Sequence, residues 1–496
     1  MLELFVLSVL IAYAHALSTR SHCDDLAGLL PGKVFLPTTE TYASSASSYY
    51  ALQEQELRPV CIVIPSSAED VAKAVKRLAE LPDPTFAIRS GGHSSVAGAA
   101  NAQDGVTIDL QQLNIVQPND DRTVVSIGAG ALWQDVYNVL VPLGLATLGG
   151  RTGIVGVGGL LTGGGLSTFS PSHGFACDNI VNLQVVLASG AIVNANATHS
   201  SDLFVALKGG QNNFGVVTRF DLATFAQGDY WGGTIQYPAA VDAAQLDAFR
   251  AFKTSPYDPY VEVEQSFLFN ASADPDNAYY SSNNLFYTRP IVDATALRVF
   301  TEIQPQGFNS MRVSNLSDFA SEFSAFQPVD RYSVYATTTI RLSETILPEV
   351  HTLWKAFAQA QANVPDFLAS FTFQALPPII PTSRNSLGFA PDSHPEGSLV
   401  LVLASNFWSS SSDSTALRNA TRTLIEEIDA LARSKGLAER FLYMNYADAW
   451  QDVIAGYGEG AVQELKRVAK AYDPREVFQR KVPGGFKLFP TKRPGV

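Results

Sequence analysis

The first extended pattern of apolar and polar positions begins at Cys61. An apolar run from Cys61 to Ile64 is followed by Pro65, and then by Ser66 with Glu69 three residues later. A serine three residues before a glutamate is a capping-box sequence, which marks the start of a helix. We therefore predict a strand, a turn and an amphipathic helix whose apolar face consists of Val71, Val75, Leu78 and Ala79.

Strands and helices alternate in the segment that follows. Short apolar runs rich in β-branched residues predict strands, and apolar positions at helical spacing predict helices. Two apolar runs on either side of Ser189-Gly190 predict a hairpin. This mixture predicts an α+β fold. The predicted strands are Phe86–Ile88, Val106–Leu110, Val124–Ile127, Leu183–Leu187, Ala191–Val193 and Val216–Phe220, and the predicted helices are Leu132–Leu140 and Asp202–Leu207.

The pattern changes after Gly228. Longer aromatic-rich runs appear, such as Tyr230-Trp231 and Phe371–Phe373, with amphipathic helices such as Ala243–Phe252 between them. This change of texture predicts a second domain.

The pattern of apolar and polar residues changes again near the C-terminus. The run Phe441–Tyr446 has the pattern of a strand, and Ala461–Tyr472 has the pattern of a helix that Asp473-Pro474 ends. We interpret this segment as completing the first domain. The predicted division is 17–227 for the first domain, 228–440 for the second and 441–496 for the completing segment.

Composition supports a folded protein of two lobes. The chain has 496 residues, of which 46% are hydrophobic and 16% are charged, so it contains ample material for large cores. The formal net charge of -13 opposes binding to nucleic acid or to anionic membrane surfaces, since both bind proteins largely through Lys and Arg.

The N-terminus resembles a secretory signal. An apolar run from Leu4 to Ala14 precedes Ala14-His15-Ala16, which has the small-x-small pattern of a cleavage site, although Glu3 stands where a basic residue is usual. We predict a signal peptide at 1–16 and a mature protein that is secreted or resides in the lumen of the secretory pathway. The run is too short to span a bilayer, so no stable membrane insertion is expected. The alternative is a buried N-terminal helix.

Cysteine and glycosylation patterns agree with secretion. Cys23 and Cys61 are predicted to pair in an oxidising compartment, which leaves Cys177 free. Four Asn-x-Ser/Thr sequences predict N-glycosylation. Their asparagines are Asn196, Asn270, Asn315 and Asn419.

Three glycine-rich segments form the candidate ligand-binding site of the chain. They are Ser90–Gly92, Gly156–Gly165 and Gly209–Gly215, each beside a predicted strand. None has the complete glycine pattern of a Rossmann site or a P-loop. Together they are suited to hold an extended dinucleotide, because glycine allows the backbone to approach phosphates. His93 follows Gly91-Gly92 and is either presented to that ligand or an ordinary turn residue. No metal site is predicted.

Several separate motifs occur in an order that resembles one family. This chain resembles the berberine-bridge-enzyme-like branch of the p-cresol methylhydroxylase/vanillyl-alcohol oxidase flavoproteins, in its fungal type. The resemblance implies a two-lobed FAD-binding domain and a substrate domain with an antiparallel sheet covered by helices. The motifs are Arg89-Ser90-Gly91-Gly92-His93-Ser94, Val155-Gly156-Val157-Gly158-Gly159, Gly163-Gly164-Gly165, Asp178-Asn179, Asp202-Leu203-Phe204, Gly209-Gly210, Asn213-Phe214-Gly215-Val216-Val217-Thr218 and Tyr443-Met444-Asn445-Tyr446.

The resemblance also implies how FAD is held. The family histidine that matches His93 is bonded to the 8α-methyl carbon of the flavin. Many relatives carry a second bond from a cysteine where this chain has Thr152, so a single covalent bond is expected. The candidate cofactor-binding residues are Arg89, Ser90, Gly91, Gly92, His93, Ser94, Val155, Gly158, Gly159, Gly163, Gly164, Gly165, Val217 and Asn445.

The resemblance favours an oxidase but does not identify its base. A valine at the position of Val155 leaves room for O₂ in this family. The strand Leu399–Trp408, which matches the strand that carries a glutamate base in the namesake enzyme, has Ser405 and Asn406 but no carboxylate. Tyr446 is the candidate base if its pKa is lowered or the substrate is acidic, and a packing tyrosine is the alternative.

The expected activity is therefore an FAD-dependent oxidation. Hydride passes from a small, secondary-metabolite-like molecule to the flavin, and O₂ then takes the electrons to give H₂O₂. One alternative is a carbohydrate oxidase with the same fold. Another is a protein that keeps FAD while it cyclises or binds a metabolite without net oxidation.

Overall fold

The computed structural model of this protein describes residues 22–82, 85–377, 384–388 and 399–489. The predicted signal peptide at 1–16 lies outside these residues. Within them, three larger sheets and the helices between them form an α+β architecture, as the sequence predicted. No helix in this part of the chain is both long and apolar enough to cross a bilayer.

A small sheet near the N-terminus carries the first glycine loop. Cys61–Val63, Val106–Asp109 and Phe86–Arg89 are parallel neighbours, and Val34–Phe35 pairs antiparallel with Cys61–Val63. The Cys23–Cys61 disulfide ties helical residues 22–29 to this sheet, which is the predicted pairing. Cys177 is buried and free.

The helix that crosses this sheet is Ala68–Glu80, and its start corrects the predicted cap. Ser67, not Ser66, is the N-cap residue, and its hydroxyl accepts a hydrogen bond from the amide of Asp70. The Asp70 carboxylate accepts from the backbone N–H of Ser66, the residue before the cap, so the serine and the carboxylate of the cap are each one residue later than expected. The predicted apolar face is confirmed, because Val71, Val75, Leu78 and Ala79 are all buried.

An antiparallel sheet of five strands completes the first core. Its order is Val116–Pro118, Val124–Gly128, Val216–Ala223, Ile180–Val186 and Ile192–Asn196. The last two strands form the predicted hairpin around Ser189-Gly190. Leu145–Ala146 and Phe225–Ala226 form a separate antiparallel pair.

The largest sheet lies in the second half of the chain and is antiparallel throughout. Its order is Arg312–Ser314, Tyr230–Pro238, Tyr279–Tyr287, Val261–Asn270, Leu368–Ala375, Leu399–Trp408 and Tyr332–Arg341. One face packs against the helices Asp242–Thr254, Ile346–Ala360 and Ser414–Ser434 and forms an aromatic-rich core. This is the predicted antiparallel sheet covered by helices. The opposite face is turned toward the glycine loops.

The second half of the chain also contributes to the first core. Helix Leu316–Ala325 packs on Trp133–Leu140, and Phe319 and Phe323 belong to the same hydrophobic cluster as the first sheets. The two lobes therefore share packing, and the residue bounds 17–227, 228–440 and 441–496 stay a prediction.

The expected strand over Phe441–Tyr446 is wrong. Residues 441–443 have no regular structure, and Met444–Tyr446 is a single 3₁₀ turn. Phe441, Tyr443 and Met444 are buried and Leu442 is half-buried, and the residues from Tyr443 to Tyr446 line the cavity described below. The apolar and polar pattern of this run therefore reflects side chains that pack in a core and side chains that line a cavity, and not a paired strand.

The remaining helical elements connect these sheets. The α-helices are Glu40–Ala46, Leu52–Gln55, Val157–Thr162, Ser170–His173, Ser201–Leu207, Arg298–Thr301, Val453–Gly456, Glu459–Tyr472 and Val477–Arg480. The other 3₁₀ turns are Val141–Leu143, Ala176–Asn179, Gln211–Asn213, Ala239–Val241, Pro275–Asn277, Thr295–Leu297 and Ser411–Asp413.

The four predicted glycosylation sequences lie in different surroundings. Asn419 is exposed on helix Ser414–Ser434, whereas the other three asparagines are half-buried. Asn196 donates to Asn182, and Asn315 is the N-cap of helix Leu316–Ala325. Glycosylation stays a prediction at all four.

Candidate active site

A cavity of about 570 Å³ separates the glycine loops from the large sheet. We call its glycine-rich side, formed by residues 90–96, 150–162 and 215–217, the floor. We call the sheet face opposite it the roof. The roof side chains that line the cavity are mostly polar. The polar ones are Thr234, Gln236, Glu264, Ser266, Ser282, Asn284, Ser370, Thr372, Gln374 and Ser405, and the others are Leu268, Tyr280, Tyr335, Leu368, Leu403 and Phe407.

The floor is shaped by contact between two glycine loops. Strand Phe86–Arg89 ends two residues before Gly91, whose backbone lies against that of Gly156. A Cβ built on Gly156 would lie 2.3 Å from the amide nitrogen of Gly91, and one built on Gly91 would lie 2.6 Å from the Cα of Gly156. Neither position has room for a side chain. Glycine is therefore required at both for the loops to meet.

Ser90 fastens this contact with two hydrogen bonds. Its hydroxyl donates to the carbonyl of Ala129 at 2.7 Å and accepts from the amide of Gly158 at 3.0 Å. Gly158 opens the short helix Val157–Thr162, in which Gly159 has no atom within 4 Å of the place of a Cβ. The floor thus presents bare backbone to the cavity at Gly159.

His93 lies at the edge of the floor and lines the cavity. Its ring stacks on that of Tyr50, with centroids 3.9 Å apart and planes at 26°. Burial lowers the pKa of His93 to about 4, so the imidazole is neutral at pH 7. A neutral imidazole has a free nitrogen lone pair, which makes it a competent nucleophile.

Most predicted cofactor-binding residues line the cavity, and four lie behind its wall. Arg89 is buried and donates to the carbonyls of Ser45 and Ser48, which fixes the base of the loop. Gly163, Gly164 and Gly165 form a buried turn outside the lining. The predicted residues that do line the cavity are Ser90, Gly91, Gly92, His93, Ser94, Val155, Gly158, Gly159, Val217 and Asn445, together with Tyr446.

Asn445 explains why Gly163 is a glycine. A Cβ on Gly163 would lie 2.0 Å from the side-chain oxygen of Asn445. The Asn445 amide donates to the carbonyl of Leu160 and to the hydroxyl of Tyr443. Asn445 therefore anchors the C-terminal segment to the floor as well as facing the cavity.

Tyr446 belongs to a buried polar cluster centred on Arg151. The Arg151 guanidinium donates to the Tyr446 hydroxyl at 2.7 Å and forms ion pairs of 2.8 Å with both Glu262 and Glu264. Gln374 lies within hydrogen-bond distance of both Arg151 and Tyr446. The cluster thus places a cation, one carboxyl group and a phenol against the cavity, whereas Glu262 lies in the cluster but outside the lining.

The two glutamates were not predicted as site residues. They lie on strand Val261–Asn270, two strands away from Leu399–Trp408 in the sheet, where a carboxylate was sought. Ser405 on that strand lines the cavity, whereas Asn406 points to the other face and donates to Thr421. The signal for the glutamates was their alternation in Val261-Glu262-Val263-Glu264, since charged residues at every second position of an apolar strand share one face.

Burial and mutual charge set the protonation of this cluster. Burial, assisted by the Glu264 carboxylate and opposed by Arg151, raises the pKa of Glu262 to about 8. Burial also raises the pKa of Tyr446, although Arg151 acts in the opposite direction. Burial alone would lower the pKa of Arg151, but Glu264, Tyr446 and Glu262 together raise it, so the guanidinium stays charged. Tyr446 is consequently a neutral phenol at pH 7.

The residues present fit an extended flavin dinucleotide. Val217, Asn212 and Gly485 line the same cavity as His93, and Gly159, also in the lining, has no atom within 4 Å of the place of a Cβ. Val155 and Thr152 line the same cavity. No group of His, Cys, Asp and Glu residues suited to a metal ion occurs in the described part of the chain.

Comparison with known proteins agrees with this geometry. Residues 59–196 match the family model described as an FAD binding domain. An FAD-dependent monooxygenase of Aspergillus calidoustus is 33% identical over 472 residues, which cover 92% of this chain and 88% of the relative. An FAD-dependent monooxygenase of Emericella nidulans is 34% identical over 475 residues, covering 94% of this chain and 98% of the relative.

Solved structures share the fold. 6-Hydroxy-D-nicotine oxidase of Arthrobacter nicotinovorans has a TM-score of 0.77 at 20% identity, covering 93% of this chain and 98% of its own. Xylooligosaccharide oxidase of Myceliophthora thermophila has a TM-score of 0.74 at 20% identity, covering 95% of this chain and 100% of its own. This chain is an FAD-linked oxidoreductase that belongs to the p-cresol methylhydroxylase/vanillyl-alcohol oxidase family, in its berberine-bridge-enzyme-like branch of fungal type.

Proposed function

We propose that this protein is an oxidase that holds FAD by a single covalent bond from His93 and oxidises a small, uncharged, hydroxylated aromatic molecule. The observation that carries the proposal is the Arg151–Glu264–Tyr446 cluster, which faces the floor beside the flavin site. Bound FAD supplies a hydride acceptor for a substrate C–H bond and passes the electrons to O₂, which gives H₂O₂.

The proposed tether rests on the state and surroundings of His93. The imidazole is neutral at pH 7, lines the cavity and follows the loop that Gly91 and Gly156 hold together. Thr152 lines the same cavity and offers no thiol for a second bond. Val155, also in the lining, supports O₂ as the electron acceptor by resemblance to the family position.

Within the cluster, we assign proton acceptance to Glu264. It is the one carboxylate among the described residues that line the cavity, and Arg151 and Asn284 hold its two oxygens. Tyr446 was a candidate base if its pKa were lowered. Burial instead raises its pKa, so the phenol keeps its proton at neutral pH. The Tyr446 hydroxyl is better suited to donate a hydrogen bond that orients a substrate oxygen near Arg151 and the Glu264 carboxylate than to accept a proton. Tyr446 as the base stays the alternative.

Charge and polarity around the cavity support an uncharged substrate. Arg151 is the one Lys or Arg in the described lining, and Glu262, Glu264 and Tyr446 already occupy its donors. A substrate carboxylate or phosphate would therefore meet no free cation. The hydroxyl and amide groups of the roof are suited to bind hydroxyl groups instead.

An aromatic rim lies beside this polar roof. Phe326 lines the cavity and is 52% exposed, and it contacts Phe308, which is 42% exposed, with ring centroids 5.9 Å apart. Exposed aromatic pairs beside a cavity favour a flat apolar group. Together, roof and rim support a phenol or a polyketide-like alcohol.

Two measurements test the oxidase. Flavin fluorescence that stays with the denatured polypeptide, and is lost in His93→Ala, would establish the tether. A panel of phenols and benzylic alcohols is then assayed for H₂O₂, and we expect Glu264→Gln to slow anaerobic flavin reduction by about 10²–10⁴-fold. Glu262→Gln is the matched control, because Glu262 lies in the same cluster but not in the lining. An unchanged rate in Glu264→Gln, with a loss in Tyr446→Phe, would transfer the base role to Tyr446.

Monooxygenation is the second candidate, because similar proteins are called FAD-dependent monooxygenases. It requires an external reductant and places one atom of O₂ in the product. Turnover that depends on NADPH, with ¹⁸O from ¹⁸O₂ in the product, would replace the oxidase proposal. Turnover without NADPH and with stoichiometric H₂O₂ supports it.

The polar roof also keeps a carbohydrate oxidase open as an alternative. Robust H₂O₂ production from oligosaccharides, with none from phenols, would establish that activity. A flavin that stays oxidised during anaerobic mixing with a substrate that the protein nevertheless converts would instead indicate a cyclase without net oxidation. The Cys23–Cys61 disulfide supports our further proposal that the protein works in the secretory pathway or outside the cell.

A further inference from the structure

The ring of His93 stacks on that of one aromatic neighbour, Tyr50. The two rings stack at 3.9 Å, and in the described part of the chain no protein group forms a hydrogen bond with the imidazole. A histidine on a loop can rotate about its side-chain bonds unless packing restricts it. The stacking contact therefore determines the plane of the imidazole.

The backbone of Tyr50 is fixed to the same loop. Its N–H donates to the carbonyl of Gly92 at 3.0 Å. On the preceding residue, the ring of Tyr49 lies 3.9 Å from the Arg89 guanidinium, and Arg89 also donates to the carbonyl of Ser48. Residues 48–50 and the loop before His93 thus form one rigid unit.

The hydroxyl of Tyr50 reaches across to the roof side. It lies 3.1 Å from the hydroxyl of Tyr335, which is on the sheet, and it donates to Gln327 at 3.4 Å. Tyr50 itself is 6% exposed. The side chain is consequently held at its backbone on the floor and at its hydroxyl on the roof, so the ring has little freedom to turn.

We propose that Tyr50 is the positioning residue for covalent attachment of FAD, holding the imidazole of His93 in the orientation in which its nitrogen meets the 8α-methyl carbon. This inference rests on the tether proposed above. The bond forms between an imidazole nitrogen and the methyl carbon, and one C–H and one N–H bond break. Their two protons and the two released electrons reduce the flavin ring, and O₂ reoxidises it with formation of H₂O₂.

The test measures attachment separately from FAD binding. Apoprotein from riboflavin-depleted cells is mixed with FAD in air, and flavin fluorescence on the denatured polypeptide is followed with time. We expect Tyr50→Leu to bind FAD, as judged by the 450 nm absorbance of the native protein, but to attach it at least about tenfold more slowly than wild type. Tyr50→Phe keeps the stacking ring but loses the hydroxyl contacts with Tyr335 and Gln327, so it should slow attachment by only about two- to fivefold.

A second variant protects the test against misfolding. The double variant Tyr335→Phe, Gln327→Leu leaves Tyr50 in place and removes the groups that hold its hydroxyl, so a smaller slowing of about two- to fivefold is expected. If Tyr50→Leu folds and attaches FAD at the wild-type rate, the proposal is wrong. If Tyr50→Leu does not fold, an unchanged rate in the double variant overturns it. Wild type without covalent flavin would refute the tether itself, which is a different result.

Discussion

The floor and the roof of the cavity obtain their properties in opposite ways. The floor works by leaving side chains out, because Gly91 and Gly156 touch through their backbones and Gly159 faces open space. The roof works by adding polar side chains to one face of a sheet whose other face is an apolar core. Adding atoms to the floor is therefore expected to destabilise the protein. In the roof, destabilisation is expected when a charged side chain loses its partner.

The largest effect is expected from removing the cation next to the roof. Arg151→Gln leaves Glu262 and Glu264 buried without their partner, which should lower the free energy of unfolding by about 3–5 kcal/mol. Urea unfolding at pH 7 measures it. Arg250→Gln is the control, since its ion pair with Asp247 is exposed and should contribute less than about 1 kcal/mol. Equal losses in the two variants would contradict the distinction.

Adding one carbon to the floor should have the next largest effect. Gly156→Ala places a Cβ 2.3 Å from the backbone of Gly91, where nothing flexible can yield, and should cost about 3 kcal/mol. The midpoint of thermal unfolding measures this loss. Gly159→Ala has free space and lies in a helix, so that variant should fold at least as well as wild type but bind less FAD. A stable Gly156→Ala with full flavin content would show that the loops do not meet as described.

The stability of the protein should also depend on pH through Glu262, which lies next to the roof. Its pKa is about 8 in the folded protein and near the ordinary 4.5 in the unfolded chain, so the folded state binds more protons between these values. Stability is therefore greatest below about pH 4.5 with respect to this group and falls as pH rises toward 8. We expect the melting temperature of wild type to fall more between pH 5 and 8 than that of Glu262→Gln. Parallel pH profiles would argue against a buried proton at this site.

The smallest effect is expected from Ser90, which adds hydrogen bonds rather than space to the floor. Ser90→Ala removes the bonds to Ala129 and Gly158 and should cost about 1–2 kcal/mol in urea unfolding. The control is Ser189→Ala on the exposed hairpin turn, which should change stability by less than about 0.5 kcal/mol. If both variants match wild type, the floor is held by backbone contacts alone.

The floor was largely predictable from the sequence because its function is local. Gly91, Gly92 and His93 are consecutive, and a glycine at a close approach cannot be replaced without a clash, so the motif itself carries the information. The family resemblance implied that Gly163 to Gly165 pass close to the flavin. They form a turn outside the cavity lining, and that role stays a prediction. Glycine content indicates close packing without indicating which neighbour is close.

The roof was not predictable in this way. Arg151, Glu264 and Tyr446 are separated by more than a hundred residues along the chain at each step, and only the folded sheet brings them within hydrogen-bond distance. The sequence also suggested that Tyr446 lies on a strand, whereas it ends a 3₁₀ turn, where its hydroxyl reaches Arg151.

The sequence by itself determined the α+β class, the pairing of Cys23 with Cys61, the glycine loops and the place of His93, because each depends on local periodicity, on few cysteines or on a contiguous motif. Tertiary structure decided that Glu264 rather than Glu262 lines the cavity, that Arg151 contacts both, and that the ring of Tyr50 stacks on that of His93. The physical reason is that a buried charge or a stacked ring is defined by its partners, and those partners come from strands and turns that are distant in sequence.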